Sequence, residues 1–233
     1  MVAPRPLTPA VILASGGLDS TVTAALAREE GYEPLWLTID YGQRHMIEVV
    51  RARQVAAAMR VAKHTVLSVD LRTIGGSALT SALAVPKDRH GRERSRGIPV
   101  TYVPGRNLIF LSLAAAYAET EGTSAIFFGA NVMDYSGYPD CRPEFIRAFE
   151  VAANTGTKAG AEGGTLRVHA PLLEMSKAEI IRIGVRLGAP LHLTHSCYDP
   201  VGDQACGRCD SCVIRREGFL TAGVEDPTRY AVL

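Results

Sequence analysis

Ser15-Gly16-Gly17-Leu18-Asp19-Ser20 sets small and hydroxylated side chains directly after the apolar run Val11-Ile12-Leu13-Ala14 and before an Ala-rich segment, Thr21 to Glu30, of helical character. A strand that turns into a helix through such a hexapeptide aims successive backbone N–H groups, and the positive end of the helix dipole, at one point. Gly16 and Gly17 have access to positive φ and leave the backbone bare to an approaching anion, while Ser15 and Ser20 add hydroxyl donors. The chemistry this suits is phosphate binding. The hexapeptide is not a Walker A loop, because G-x-x-x-x-G-K-[ST] is absent, nor is it the dinucleotide-binding G-x-G-x-x-G.

A second constellation is Cys197-x8-Cys206-x2-Cys209-x2-Cys212, in a stretch rich in Gly and Asp. Two C-x-x-C steps that share Cys209 form a knuckle, and the eight-residue loop lets Cys197 swing round to complete a tetrahedron. Four soft thiolates with no open position describe a structural Zn²⁺ site. A [4Fe–4S] cluster also uses four cysteines, and a redox dithiol would use two and leave two unexplained. Arg208, Arg215 and Arg216 are near enough in sequence to offset the charge of such a centre, and His195 is placed for a structural or substrate-side role. Cys141, the fifth cysteine, reads as a buried or pocket-lining thiol with no obvious base beside it. An odd cysteine count, with four crowded into sixteen residues, argues against a disulfide framework.

Further polar residues cluster in three places. Asp40-Tyr41-Gly42-Gln43-Arg44-His45 closes an apolar run, and Thr101 to Asn107 precedes a long apolar helix that Asn107 is placed to cap. The stretch from Gly129 to Arg142 holds Asp134, Tyr135, Ser136, Tyr138, Asp140 and Arg142. Tyrosine rings stack on a flat heteroaromatic base, a carboxylate reads a guanine-like N1–H/N2–H₂ edge, and an arginine pairs with a carboxylate. His64, His90, His169 and His192 carry no partner pattern.

The elements that must position these residues alternate. Strands are expected at 11–14, 35–39, 65–69, 125–128 and 167–170, and helices at 20–30, 44–60, 106–121, 144–153 and 176–187. The helix at 106–121, apolar on most sides, is expected to be buried. Ser176-Lys177-Ala178-Glu179 is a capping box, and Gly188 with Pro190 stops the helix it opens. The βα alternation predicts an α/β fold, a doubly wound, mostly parallel sheet, with the ligand at the carboxyl ends of the strands. The loops at 15–20, 40–45 and 129–142 should therefore meet around one pocket. Residues 1–190 are expected to form the α/β domain that carries the phosphate-binding loop, and 191–233 a small helical, metal-binding region. The charge run at 86–97 reads as a solvated loop, with a nucleotide lid or an RNA-contacting patch as the other readings, and the Gly/Ala-rich stretch at 155–164 as mobile.

Composition limits the partners. With 233 residues, a formal net charge of +1 and 47% hydrophobic residues, bulk electrostatics give no reason to expect nucleic acid or an anionic membrane. The longest apolar stretch, Leu108 to Ala118, is far short of the ~20 residues a membrane span requires. A cytoplasmic protein is expected.

The loop S-G-G-x-D-S resembles the pyrophosphate loop of the N-type ATP pyrophosphatases, which split ATP into AMP and pyrophosphate. The resemblance becomes closer when the order of motifs is read. That loop is followed by Tyr41-Gly42-Gln43-Arg44-His45, Val103-Pro104-Gly105-Arg106-Asn107, the Asp134-to-Arg142 loop and Ser176-Lys177-Ala178-Glu179-Ile180. Ser196-Cys197-Tyr198 and the Cys206-to-Cys212 knuckle close the series. Together, from about residue 10 to 220, these resemble the 7-cyano-7-deazaguanine synthases of the queuosine pathway, with an adenine nucleotide alpha hydrolase-like fold. The resemblance implies ATP with Mg²⁺ held by Ala14, Ser15, Gly16, Gly17, Leu18, Asp19, Ser20, Gln43, Arg44 and Lys177. It implies catalytic parts for Asp19, Lys177 and Arg106, and 7-carboxy-7-deazaguanine on Asn107, Asp134, Tyr135, Ser136, Tyr138, Asp140 and Arg142. It further implies structural Zn²⁺ on Cys197, Cys206, Cys209 and Cys212, free ammonium as nitrogen source, and a homodimer. A tRNA-modifying adenylase or thiolase of the same superfamily, and a nucleotide-binding regulatory module without turnover, are the alternatives.

Overall fold

The structure is a computed structural model and describes residues 7–89, 93, 97–133 and 138–231. Five parallel strands form one sheet in the order β3-β2-β1-β4-β5, with β1 Thr8–Leu13, β2 Tyr32–Asp40, β3 Lys63–Ser68, β4 Ala125–Phe128 and β5 Arg167–His169. The helices are α1 Leu18–Glu29, α2 Ile47–Ala58, α3 Arg106–Thr120, α4 Pro143–Gly156, α5 Lys158–Ala161, α6 Lys177–Arg186 and α7 Asp210–Ala222.

The central strands are mostly apolar on both faces because both are covered. Val11 and Leu13, Leu37 and Ile39, and Ile126 and Phe128 pack with α3 and α4, through Leu111, Ala114, Ala118, Ile146 and Phe149. The alternate residues Ala10, Ile12, Trp36 and Phe127 pack with Ala24 and Ala27 of α1 and Val55 and Ala56 of α2. A further layer lies outside α1, where Val22 and Leu26 meet Ile180 and Ile181 of α6 and Phe219 of α7. The chain reverses its winding between β1 and β4. The ends of these two strands splay helices to opposite faces and open a crevice at their carboxyl edge.

Three expectations are corrected. Helix α3 is buried along one face, but Leu108, Ser112 and Ala116 form an exposed stripe, with Leu108 48% exposed. The stretch 155–164 is ordered: it completes α4 and forms α5, whose start is capped by the Thr157 hydroxyl accepting from Gly160 N–H, and Asn154 anchors it to Leu166. The charge run is not simply a solvated loop. Lys87 pairs with Asp199 (2.8 Å) and bridges to Cys209, Asp88 N–H donates to Arg208 O (2.8 Å) and its carboxylate pairs with Arg208, and Arg89 pairs with Asp210. Residues 90–92 and 94–96 lie outside the described residues.

Candidate active site and cysteine knuckle

The loop between β1 and α1 sits at the crevice. Gly16 has φ +79° and passes so close under α2 that a Cβ there would stand 2.5 Å from Ala52 N and 2.7 Å from Glu48 O. The loop is braced from within. Ser15 N–H donates to Ser20 Oγ (3.2 Å), Gly17 N–H to Ser15 Oγ (3.3 Å), and Thr21 Oγ1 to Gly17 O (2.8 Å). His195 N–H donates to Gly16 O at 3.0 Å, tying the loop to the segment before the cysteines. No side chain caps α1, whose N-cap is Gly17, so the first N–H groups of that helix are turned to whatever occupies the crevice. Lys177 Nζ lies 2.6 Å from Asp19 Oδ1, which puts a cation and a carboxylate side by side at the loop. The α6 capping box holds Lys177 in its first turn. Asn131 fixes the approach to that helix by donating to Leu172 O (2.8 Å) and Met175 O (2.6 Å).

A cavity of about 250 Å³ joins this loop to the far side of the crevice. It is lined by Ala14, Ser15, Gly17, Leu18, Asp19, Ser20, Gln43 and Lys177 at one end and Arg106, Asn107, Tyr138 and Cys141 at the other. Gly16 lies behind the lining, under α2. Three further expected residues are not in the lining: Arg44 donates to Leu83 O (3.2 Å), Arg142 is an exposed N-cap of α4, and Asp140 is buried against Asn107. Asp134, Tyr135 and Ser136 lie outside the described residues.

Arg106 lies over the rings of Tyr41 and Phe110, at 5.7 and 5.9 Å, and stays charged: burial opposes its charge, but the surrounding tyrosines and Cys141 favour it. Asn107 is not the cap of α3; Gly105, at φ +64°, takes that place. Instead Asn107 N–H donates to Asp140 Oδ2 (3.0 Å), and its amide donates to Asp140 O (3.4 Å) and Cys141 Sγ (3.2 Å). Asp140 thus caps α3 from 33 residues away. Its Oδ1 is buried without a hydrogen-bond partner among the described residues, and burial raises its pKa above the ordinary carboxylate value. Burial pushes the Cys141 thiol up to about 12, so it is no nucleophile.

Sequence reading missed Glu48, which lines the same cavity from the first turn of α2. Burial raises it to about 7, against the opposing pull of Arg106. Its position three residues after His45 offered only a helix signal. His195 and Tyr198 also line the cavity. Burial lowers the His195 ring to about 4, so it is neutral, and its Nε2 has no hydrogen-bond partner among the described residues.

The four sulfurs of Cys197, Cys206, Cys209 and Cys212 are buried and lie within 4.8 Å of one another. Separations of 3.5 Å (Cys209–Cys212) and 4.0 Å (Cys197–Cys209 and Cys206–Cys212) compare with the ~3.8 Å that four bonds of ~2.3 Å at tetrahedral angles require. Backbone N–H groups point at them: Asp199 and Cys206 donate to Cys197 Sγ, and Arg208 and Cys209 to Cys206 Sγ, at 3.2–3.4 Å. The donor set fits a metal ion. The arginines expected to offset its charge are engaged elsewhere. Arg208 pairs with Asp88, Arg215 with Asp226 (3.1 Å), and Arg216 lies over the Tyr230 ring. The N–H groups, with the amino end of α7, take that part instead.

No helix among the described residues is long and apolar enough to cross a membrane. The architecture is of the adenine nucleotide alpha hydrolase type. It is similar to the crystal structure of a predicted tRNA methyltransferase subunit from Methanocaldococcus jannaschii, with a TM-score of 0.51, 15% identity, and 96% and 92% of the two chains covered. That likeness speaks to the fold alone. In sequence the chain is 61% identical to a 7-cyano-7-deazaguanine synthase of Myxococcus xanthus, over 95% of this chain and 96% of that one. It is 57% identical to a 7-cyano-7-deazaguanine synthase of an Anaeromyxobacter species, over 98% and 99%. A family model described as queuosine biosynthesis protein QueC matches residues 9–223, and the chain belongs to that family.

Proposed function

We propose that the chain is an ATP-dependent ligase that converts 7-carboxy-7-deazaguanine and ammonia to 7-cyano-7-deazaguanine for queuosine biosynthesis. The observation that carries this reading is the single cavity with a phosphate-type loop at one end and Arg106, Asn107, Tyr138 and Cys141 at the other. A nucleotide α-phosphate and the carboxylate of a flat base can meet there.

A carboxylate is a poor electrophile. Its oxygen attacks the α-phosphorus, the bond to the bridging oxygen of the β-phosphate breaks, and pyrophosphate leaves with the electron pair. Ser15, Gly16, Gly17, Leu18 and Ser20, on the N-terminal turn of α1, bind the departing pyrophosphate, and Lys177 adds a positive charge beside it. Asp19 orients Lys177 through their 2.6 Å pair and is placed to meet the nucleotide's Mg²⁺. When bound, Mg²⁺ spreads phosphate charge. Ammonia then adds to the acyl carbon, the carbon–oxygen bond to AMP breaks, and loss of a proton leaves the amide. In a second activation the amide oxygen attacks the α-phosphorus of another ATP. Loss of N–H protons and of AMP from the resulting imidate forms the nitrile.

Ala14 and Gln43 complete the nucleotide end. Arg106, Asn107 and Tyr138, with Asp134, Tyr135 and Ser136 from the preceding loop, hold the deazaguanine, and Asp140 positions Asn107. Zn²⁺ on the four cysteines, all within the region 191–233, holds that region's fold against the ATP-binding domain 1–190 and takes no part in bond making. The chain acts as a cytoplasmic homodimer on small molecules rather than RNA, in keeping with its net charge of +1.

The test incubates the protein with Mg-ATP, ammonium and 7-carboxy-7-deazaguanine, following nucleotides by chromatography and the base by mass spectrometry. The expected result is nitrile with two AMP and two pyrophosphate per turnover. Unchanged carboxylate, with AMP release stimulated by tRNA, would replace this reading by the RNA-modifying one.

A further inference from the structure

Forming a nitrile from a carboxylate and ammonium requires that N–H protons be removed next to the activated carbonyl, and no group named so far does this. Among the described residues lining the cavity the carboxylates are Asp19 and Glu48. Asp19 is engaged by Lys177. Glu48 makes no hydrogen bond to any described residue; the cation that acts on it is Arg106, from α3, and the phenol of Tyr41 faces it from the end of β2. Its own backbone carbonyl lies against Gly16, 2.7 Å from where a Cβ would stand, so the side chain starts from the wall of the phosphate loop and lines the chamber beyond it. The activated carbonyl must sit between that loop and the base-binding end, which is where a carboxylate rooted there reaches.

The other ionisable groups lining the chamber fit the task less well. The Cys141 thiol and the Tyr41 and Tyr138 phenols are held protonated by burial, and Lys177, Arg106 and Arg215 are cations. His195 is turned toward the cysteine segment, with Arg51, Arg215 and His45 acting on it.

We propose that Glu48 is the proton acceptor of the nitrogen-dependent steps, an inference that rests on the synthase reading above. In the first step its carboxylate takes the proton that the nitrogen sheds as ammonia displaces AMP. In the second it takes the imidate N–H proton. The N–H pair becomes the third carbon–nitrogen bond, the carbon–oxygen bond breaks, and AMP leaves with that pair. The acid so formed returns its proton to water in the open cavity. A carboxylate whose pKa is raised by burial to about 7 is matched to this work near neutral pH.

Two assays separate this proposal from the reading beneath it. Carboxylate-dependent exchange of labelled pyrophosphate into ATP reports adenylation alone. Single-turnover conversion of the supplied amide to the nitrile reports N–H removal, and needs no ammonia. For Glu48→Gln the exchange should stay within about 3-fold of wild type, while the amide-to-nitrile rate should fall by about 10²–10⁴-fold, with Glu48→Asp recovering part of it. In the wild type that rate should rise through about pH 7 to a plateau, and this limb should vanish in Glu48→Gln. A variant whose nitrile rate stays within 10-fold, or whose exchange and nitrile rates fall by the same factor, overturns the proposal. If Glu48→Gln does not fold, the wild-type profile decides, and a flat profile overturns it. Absence of exchange in the wild type would instead sink the synthase reading.

Discussion

Replacing Gly16 with alanine tests whether the loop's shape is dictated by its contact with α2. At φ +79° an L-residue carries a penalty of about 1–2 kcal/mol. The new Cβ would also stand 2.5 Å from Ala52 N, 2.7 Å from Glu48 O and 3.0 Å from Ala52 Cα, all backbone atoms that no rotamer change can remove. Restoring ordinary contact at 3.4 Å means separating loop and helix by about 0.9 Å, and overpacking of this kind costs about 1–3 kcal/mol. The two effects total about 2–5 kcal/mol, or a fall in Tm of about 5–15 °C for a chain of this length. Gly17→Ala is the comparison. Its φ is −82°, and its Cβ would meet Ser15 Oγ at 3.2 Å and His195 O at 3.5 Å, so Tm should fall by less than about 3 °C. Differential scanning calorimetry measures both, and pyrophosphate exchange should drop at least 10²-fold in Gly16→Ala because the displaced loop no longer aims its N–H groups at the departing pyrophosphate. Equal Tm shifts in the two variants, or a Gly16→Ala protein melting within about 2 °C of wild type, would refute the reasoning.

Lys177→Gln should lower pyrophosphate exchange by about 10²–10³-fold, the effect of removing one charged donor from a developing anion; its partly exposed pair with Asp19 contributes only up to about 1 kcal/mol to stability, so Tm should barely move. Chelation of the bound metal should speed hydrogen exchange at the Asp88 and Ala205 amides, whose acceptors are Arg208 and Arg229, and leave the amides of β1 and β2 protected; thiols that react freely with a maleimide before chelation would rule out a metal at the knuckle. Glu48 binds its proton more tightly folded (about 7) than unfolded (4.5), so stability should fall as pH rises from 4.5 to 7 and then level. Glu48→Gln should therefore be more stable than wild type at pH 8, by up to about 2 kcal/mol, and as stable at pH 4, measured by urea denaturation. Asp226 works the other way. Burial raises it, but Arg215 and the hydrogen bonds from Tyr230 and Thr228 outweigh that and lower it, so it stabilises above its unfolded value of 3.8 and ceases to as pH falls below; Asp226→Asn should flatten the acid limb of stability.

The local signals were legible in the chain. An apolar run followed by Ser-Gly-Gly declares a buried parallel strand and an anion-binding helix start, because φ at glycine and burial on two faces are set by neighbouring residues. The capping box at Ser176 closes within four residues and appears as read. The spacing of Cys206, Cys209 and Cys212 makes a knuckle whatever surrounds it, and it draws in Cys197 as expected. Tertiary structure decided what depends on partners far along the chain. Asn107 looked like a helix cap, yet it is itself served by Asp140, and Lys87, Asp88 and Arg89 looked solvated until the knuckle supplied Asp199, Arg208 and Asp210. Asp19 meets Lys177 across 158 residues. Glu48 carried only a helical pattern, and its chemistry arises because α2 packs on Gly16 and turns that carboxylate into a low-dielectric crevice facing Arg106. Periodicity and turn chemistry are properties of adjacent residues, whereas proton affinity, ion pairing and the choice of which loops share a cavity are properties of packing.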